Sequence, residues 1–150
     1  MMSRVLAVLA VVLLAAFFMP WLGPEAGQIA GTSCRGSPPE ISGFSVVRCL
    51  VTTAIGADGD AVSRSFDDLW YLWLLAAIPL FGILTLFAGL RGAGSTAPYA
   101  VIAGGVPVGE AIYLLVVDGT RLFAYFDIGA WLTLVTGVLL VILPFVPRRY

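Results

Sequence analysis

Residues 97–117 read APYAVIAGGVPVGEAIYLLVV, a run with a single charged side chain, Glu110. At 1.5 Å of rise per residue, a helix of this length covers about 30 Å, the thickness of a bilayer's hydrocarbon core. Three uncharged runs match it in kind: Val5 to Leu22, Leu69 to Leu90 and Ile128 to Val146. A backbone in lipid must satisfy its own hydrogen bonds, and separated runs of this length do so as helices rather than as alternating barrel strands. The sequence therefore predicts an all-α membrane protein, a bundle of four transmembrane helices over about 5–22, 69–90, 97–117 and 128–146. One integral membrane domain over residues 1–150 is expected.

Composition supports the same class: 60% of the 150 residues are hydrophobic and 11% are charged, with a mean hydropathy of +1.01. The chain contains no His, no Lys and no Asn. Without His there is no Ser/His or Cys/His pair and no imidazole ligand for zinc or haem; without Lys there is neither a Schiff base nor a phosphate-loop lysine. No catalytic residue, metal site, cofactor or nucleic-acid partner is expected, and the chain is not read as an enzyme. The shortage of Lys and Asn, whose codons are AT-rich, points to a GC-rich bacterial genome and so to a bacterial inner membrane.

Charges flanking the runs orient them. Arg4, Arg91, Arg148 and Arg149 lie at one set of ends with no acid beside them, whereas eight of the nine acids lie at the other, with Arg35, Arg48, Arg64 and Arg121. The positive-inside rule then places both termini in the cytoplasm and the loop 23–66 outside. Trp21, Trp70, Trp73 and Trp131 all fall near the outer ends, where an amphipathic ring suits the headgroup layer. A cleaved signal peptide is the rival reading of the first run. It is disfavoured by the length of the run and by Pro20, Trp21 and Pro24, which stand where a small-x-small cleavage site belongs.

The outer loop 23–66 holds both cysteines, Cys34 and Cys49, and a disulfide is expected in an oxidising compartment. Closing a loop of this size stabilises it by about 3 kcal/mol in the chain-entropy description. Residues Ile41 to Ile55 are rich in Val, Ile, Thr and Phe and read as one or two short strands over the bundle. The acids Asp58, Asp60, Asp67 and Asp68 lack the order of a calcium loop; Ser65 and Asp68 read as the cap and first turn of the second span. Four helices with a long first outer loop and two cysteines resemble the claudin family in topology only. The Gly-Leu-Trp of that family does not precede Cys34, so no function is carried over.

Glu110 is the only ionisable group inside a predicted span, about 4 Å to the outer side of its midpoint by helical rise. An ionised carboxylate there costs several kcal/mol, so a protonated acid that donates a hydrogen bond is expected. Its available partners are Tyr113, Thr133, Thr136 and the carbonyls freed by Pro107 and Pro79. Three roles compete: a structural hydrogen bond, a contact to a cation on another subunit, and a proton- or substrate-handling site. Ala100-x-x-x-Gly104 and Gly105-x-x-x-Gly109 form a small-residue face on the same helix, expected to serve helix packing within the bundle. The functional expectation is a structural, accessory or assembly subunit in the lipid bilayer that packs against other membrane proteins or itself. The alternative is a small transporter that depends on Glu110.

Overall fold

The computed structural model describes residues 2–22, 41–48, 74–92, 96–120 and 122–146. It is mostly helical: α1 (Met2–Phe18), α2 (Ala77–Leu90), α3 (Thr96–Asp118) and α4 (Ile128–Ile142), with short strands β1 (Pro20–Leu22) and β2 (Ile41–Ser42). Turns of 3₁₀ helix at Leu122–Tyr125 and Leu143–Phe145 precede and extend α4. Each helix packs on two neighbours in the cyclic order α1, α2, α3, α4, while the diagonal pair α1 and α3 touches little. α1 and α2 run antiparallel, since Gly82 faces Leu14 whereas Gly89 faces Ser3 and Ala7.

Two of the helices, over Thr96–Val117 and Ile128–Phe145, are long and apolar enough to cross a membrane. Their most apolar windows are only 28% and 33% buried within the molecule, unlike the core helix of a soluble protein. The outward faces are themselves apolar: Val8, Leu90, Val116 and Phe145 are all more than half exposed. Inside, Leu6, Leu13, Phe17, Leu75, Ile78, Ala100, Ala103 and Leu140 form the core. Buried hydroxyls are satisfied along their own helices, Thr85 by the Phe81 carbonyl and Thr133 by the Gly129 carbonyl, each at 2.7 Å.

The first apolar run gives a helix that ends earlier than the sequence predicts, and the second is interrupted by a turn. α1 begins at Met2 and stops at Phe18, so residues 20–22 of the expected span are strand. Pro20 has no amide hydrogen with which to continue the helix. The indole of Trp21 folds back to donate to the Ala16 carbonyl at 2.9 Å, satisfying an acceptor that the helix end would leave open. Leu74 is helical, and a turn at Leu75 and Ala76 separates it from α2, which begins at Ala77; Pro79 removes the bond to the Leu75 carbonyl and crowds it. The expected start at 69–73 lies outside the described residues. The other ends are conventional: Asp127 caps α4 by accepting from the Ile128 amide at 2.7 Å, and Gly92 (φ 68°) and Gly119 (φ 67°) follow α2 and α3 in the left-handed region open to glycine.

The stretch 41–55 has, among its described residues, one short strand where one or two were expected, followed by helix. Ile41–Ser42 is extended, pairing antiparallel with β1, and residues 43–48 are helical. A reciprocal cap explains the change. The Ser42 hydroxyl accepts from the Ser45 amide at 3.1 Å, and the Ser45 hydroxyl accepts from the Ser42 amide at 2.8 Å, the geometry of a capping box. Gly43 sits on the rings of Phe17 and Trp21, so this turn seats on the end of α1. β1 also bridges to Phe126 through Leu22, and Asp127 donates its amide to the Trp21 carbonyl at 2.8 Å. The end of α1 and the start of α4 are thereby joined. Cys34, Cys49 and residues 49–55 lie outside the described residues.

Glycine sets the closest approach between α3 and α4. A Cβ on Gly104 would overlap the Gly137 carbonyl oxygen and stand 2.9 Å from Leu140 Cβ, whereas a Cβ on Gly105 would meet nothing within 4 Å. Gly104→Ala is expected to lower unfolding stability in detergent by about 1–3 kcal/mol through overpacking, and Gly105→Ala to leave it within about 0.5 kcal/mol. Thermal unfolding of the two variants side by side checks this; equal effects would refute the assigned helix rotation.

Candidate functional site: a buried acid at the foot of a groove

Along α3 the buried positions Ala100, Ala103, Gly104 and Pro107 recur every three or four residues, and Glu110 continues that inward face. The acid is thus turned into the bundle, about 21 Å of helix from the Thr96 end by rise per residue. It is 8% exposed, and its Oε1 is buried with no hydrogen-bond partner among the described residues. An oxygen withdrawn from water without a partner costs about 1–3 kcal/mol, so its setting calls for a reason.

None of the expected partners supplies a bond to Oε1. Thr133 spends its hydroxyl on the Gly129 carbonyl, and Thr136 is buried on α4. Tyr113, one turn on from Glu110, is 38% exposed and shares with it the wall of a groove. That groove has a volume of about 380 Å³ and runs between Leu74 and the α3 face carrying Val101, Gly105, Gly109, Glu110 and Tyr113. Among the described residues lining it, Glu110 is the one acid and the rest are apolar apart from Tyr113.

The small-residue face of α3 divides in two. Gly104 is buried against Gly137, the internal use that the sequence predicts. Gly105 and Gly109 instead line the groove, and a Cβ on either would meet no neighbour within 4 Å. Two glycines in a helix that no part of the described chain approaches leave a strip of backbone bare. Sequence reasoning had identified Glu110 and the glycines but not the contribution of Leu74, Val101 or Val106. The available signal was the run Ala100, Ala103, Gly104, Pro107 of small or compact residues, which marks the packed face and leaves Gly105 and Gly109 to its side.

Among the described residues no group of three or more His, Cys, Asp or Glu stands close enough to hold a metal ion. The chemistry that remains is that of a single carboxyl in apolar walls: it can hold a proton, donate or accept a hydrogen bond, or pair with one cation. Glu110→Met removes the unpartnered oxygen at similar volume. The isolated protein is expected to gain about 1–3 kcal/mol of unfolding stability from it, read by thermal unfolding. A loss of similar size would instead make Glu110 an internal structural bond.

No protein-family model, no curated protein and no solved structure matches this chain.

Proposed function

We propose that this chain is an integral protein of a bacterial inner membrane that serves as an accessory or assembly subunit, packing laterally against another membrane protein. The observation that carries the reading is the unpartnered Oε1 of Glu110 at the foot of an open groove. A buried carboxyl oxygen that the described residues leave unsatisfied is best explained by a group supplied from outside.

A four-span, N-in/C-in arrangement is part of this proposal. α1 and α2 are short, yet they lie side by side with α3 and α4 in one ring, so whatever depth the long helices take the short ones share. Arg4 and Arg91 fall at one end of that ring, where α1 starts and α2 stops. At the opposite end the rings of Phe17 and Trp21 meet edge to face at 5.8 Å, and Phe123, Phe126 and Trp131 cluster with centroids 4.8–6.3 Å apart. Basic ends inside and an aromatic collar outside fit the positive-inside rule. Cys34 and Cys49, joined outside, complete the reading.

A second role, proton or small-solute handling, is favoured by the same groove, since it gives the acid a path to a ligand. The two roles separate experimentally. Purified in mild detergent from its native membrane at endogenous level, the protein is expected in a stoichiometric complex with another membrane protein. Intact mass of that material reads the Cys34–Cys49 bond as the loss of a hydrogen pair. A lone monomer with a flux that Glu110→Gln abolishes would transfer the role to solute handling.

Topology is tested independently of partner. With the native cysteines replaced by Ser, an impermeant maleimide is expected to label Thr120→Cys in intact cells, and alkaline phosphatase fused after Tyr150 to be inactive. An active fusion would reverse the orientation.

A further inference from the structure

We propose that the groove on α3 seats a transmembrane helix of a different protein, which lays its backbone over Gly105 and Gly109 and extends a Lys or Arg side chain to Glu110. The inference rests on the accessory-subunit reading and names the chemistry of the partner.

Shape gives the first argument. From Val101 to Tyr113 the groove follows α3 for about 18 Å by helical rise. Its volume of about 380 Å³ is small beside a helix about 10 Å across with its side chains. A whole helix does not sink into such a space. A single unbranched side chain does, and the aliphatic stem of Lys or Arg suits apolar walls while its head seeks a polar group. Beside that slot, the bare strip at Gly105 and Gly109 lets a second backbone approach as closely as Gly104 and Gly137 do within the bundle.

Charge complementarity gives the second. Glu110 is 8% exposed with Oε1 unpartnered, and it lines the groove. A carboxyl buried in apolar surroundings is best met by a charge-assisted bond from a cation. The partner that brings this cation is not a second copy. The chain has eight arginines, at 4, 35, 48, 64, 91, 121, 148 and 149, all outside the four apolar runs, and it has no Lys or His. A homodimer would bring acid to acid at this depth, so the cation comes from another sequence.

The test uses full-length protein in phosphatidylcholine vesicles, with two synthetic Leu/Ala transmembrane peptides that share a small-residue face and differ only in a central Lys or Met. Energy transfer between labelled protein and peptide is expected to show the Lys peptide binding at least tenfold more tightly. Glu110→Gln is expected to erase that preference. Gly105→Leu, which fills open space and leaves the bundle folded by circular dichroism, is expected to weaken both peptides tenfold or more. Equal binding of the two peptides to the unaltered protein overturns the proposal, and that comparison decides alone should a variant fail to fold. A preference that survives Glu110→Gln overturns it as well. Glu110-dependent binding of dodecylammonium in the same vesicles, without preference for the Lys peptide, replaces the helix by a small amphiphilic cation. Energy transfer between labelled copies that Glu110→Gln abolishes replaces it by self-association. A native complex that persists intact in Glu110→Gln and Gly105→Leu overturns docking at the groove and leaves the accessory role standing. Absence of any native complex removes that role, while the peptide preference is read on its own.

Discussion

Gly104 of α3 lies against the backbone of Gly137 on α4, and the arrangement of the other helices follows from contacts of this kind. Apolar side chains cover the outside of the molecule as well as its core, so hydrophobic burial alone cannot choose which face of a helix turns inward. Close approach does choose. Wherever hydrogens replace side chains, backbones come near enough for dispersion forces to discriminate one rotation from another. Gly89 against Ser3 and Ala7, and Gly82 against Leu14, fix α2 on α1 in the same way. Once α3 is turned by Gly104, Glu110 has to face inward, and Gly105 and Gly109 have to stand to one side.

That rotation joins fold to function. The same helix whose inner glycine holds the bundle together carries an acid that the bundle does not satisfy and a glycine strip that it does not cover. Elsewhere polar groups inside the ring are settled locally: Thr85 and Thr133 return their hydroxyls to carbonyls one turn back. The contrast makes the open oxygen of Glu110 a property of one place rather than of loose packing in general. In an apolar medium such a group is answered by another molecule or remains a standing cost.

Much of this was legible in the residues. Runs of apolar side chains located α3 and α4 to within a few residues, and Glu110 stood out because nothing else near it was ionisable. Three features were hidden for physical reasons. Pro79 goes with a turn at Leu75 and Ala76 inside a run whose hydropathy is unbroken, and hydropathy does not register a missing amide. Residues 43–48 have β-rich composition, yet the paired hydroxyls of Ser42 and Ser45 start a helical turn there, a local bond overriding propensity. The division of Gly104 from Gly105 depends on rotation, which a helix apolar on all sides does not encode in its pattern.

The strand pairing at the aromatic end has its own bearing on how the molecule is made. Trp21, early in the chain, gives its carbonyl to Asp127, and Gly129 seats against the carbonyls of Met19 and Pro20. Synthesis proceeds from the N-terminus, so α1 emerges before α4, the helix that completes its C-terminal end. Until then the Trp21 carbonyl lacks the Asp127 amide that pairs with it. The order of translation and the order of closure therefore run in opposite senses. The ring is shut only by its final member, and a ribosome that stops after α3 releases a chain whose first helix has lost the neighbour it was shaped to meet.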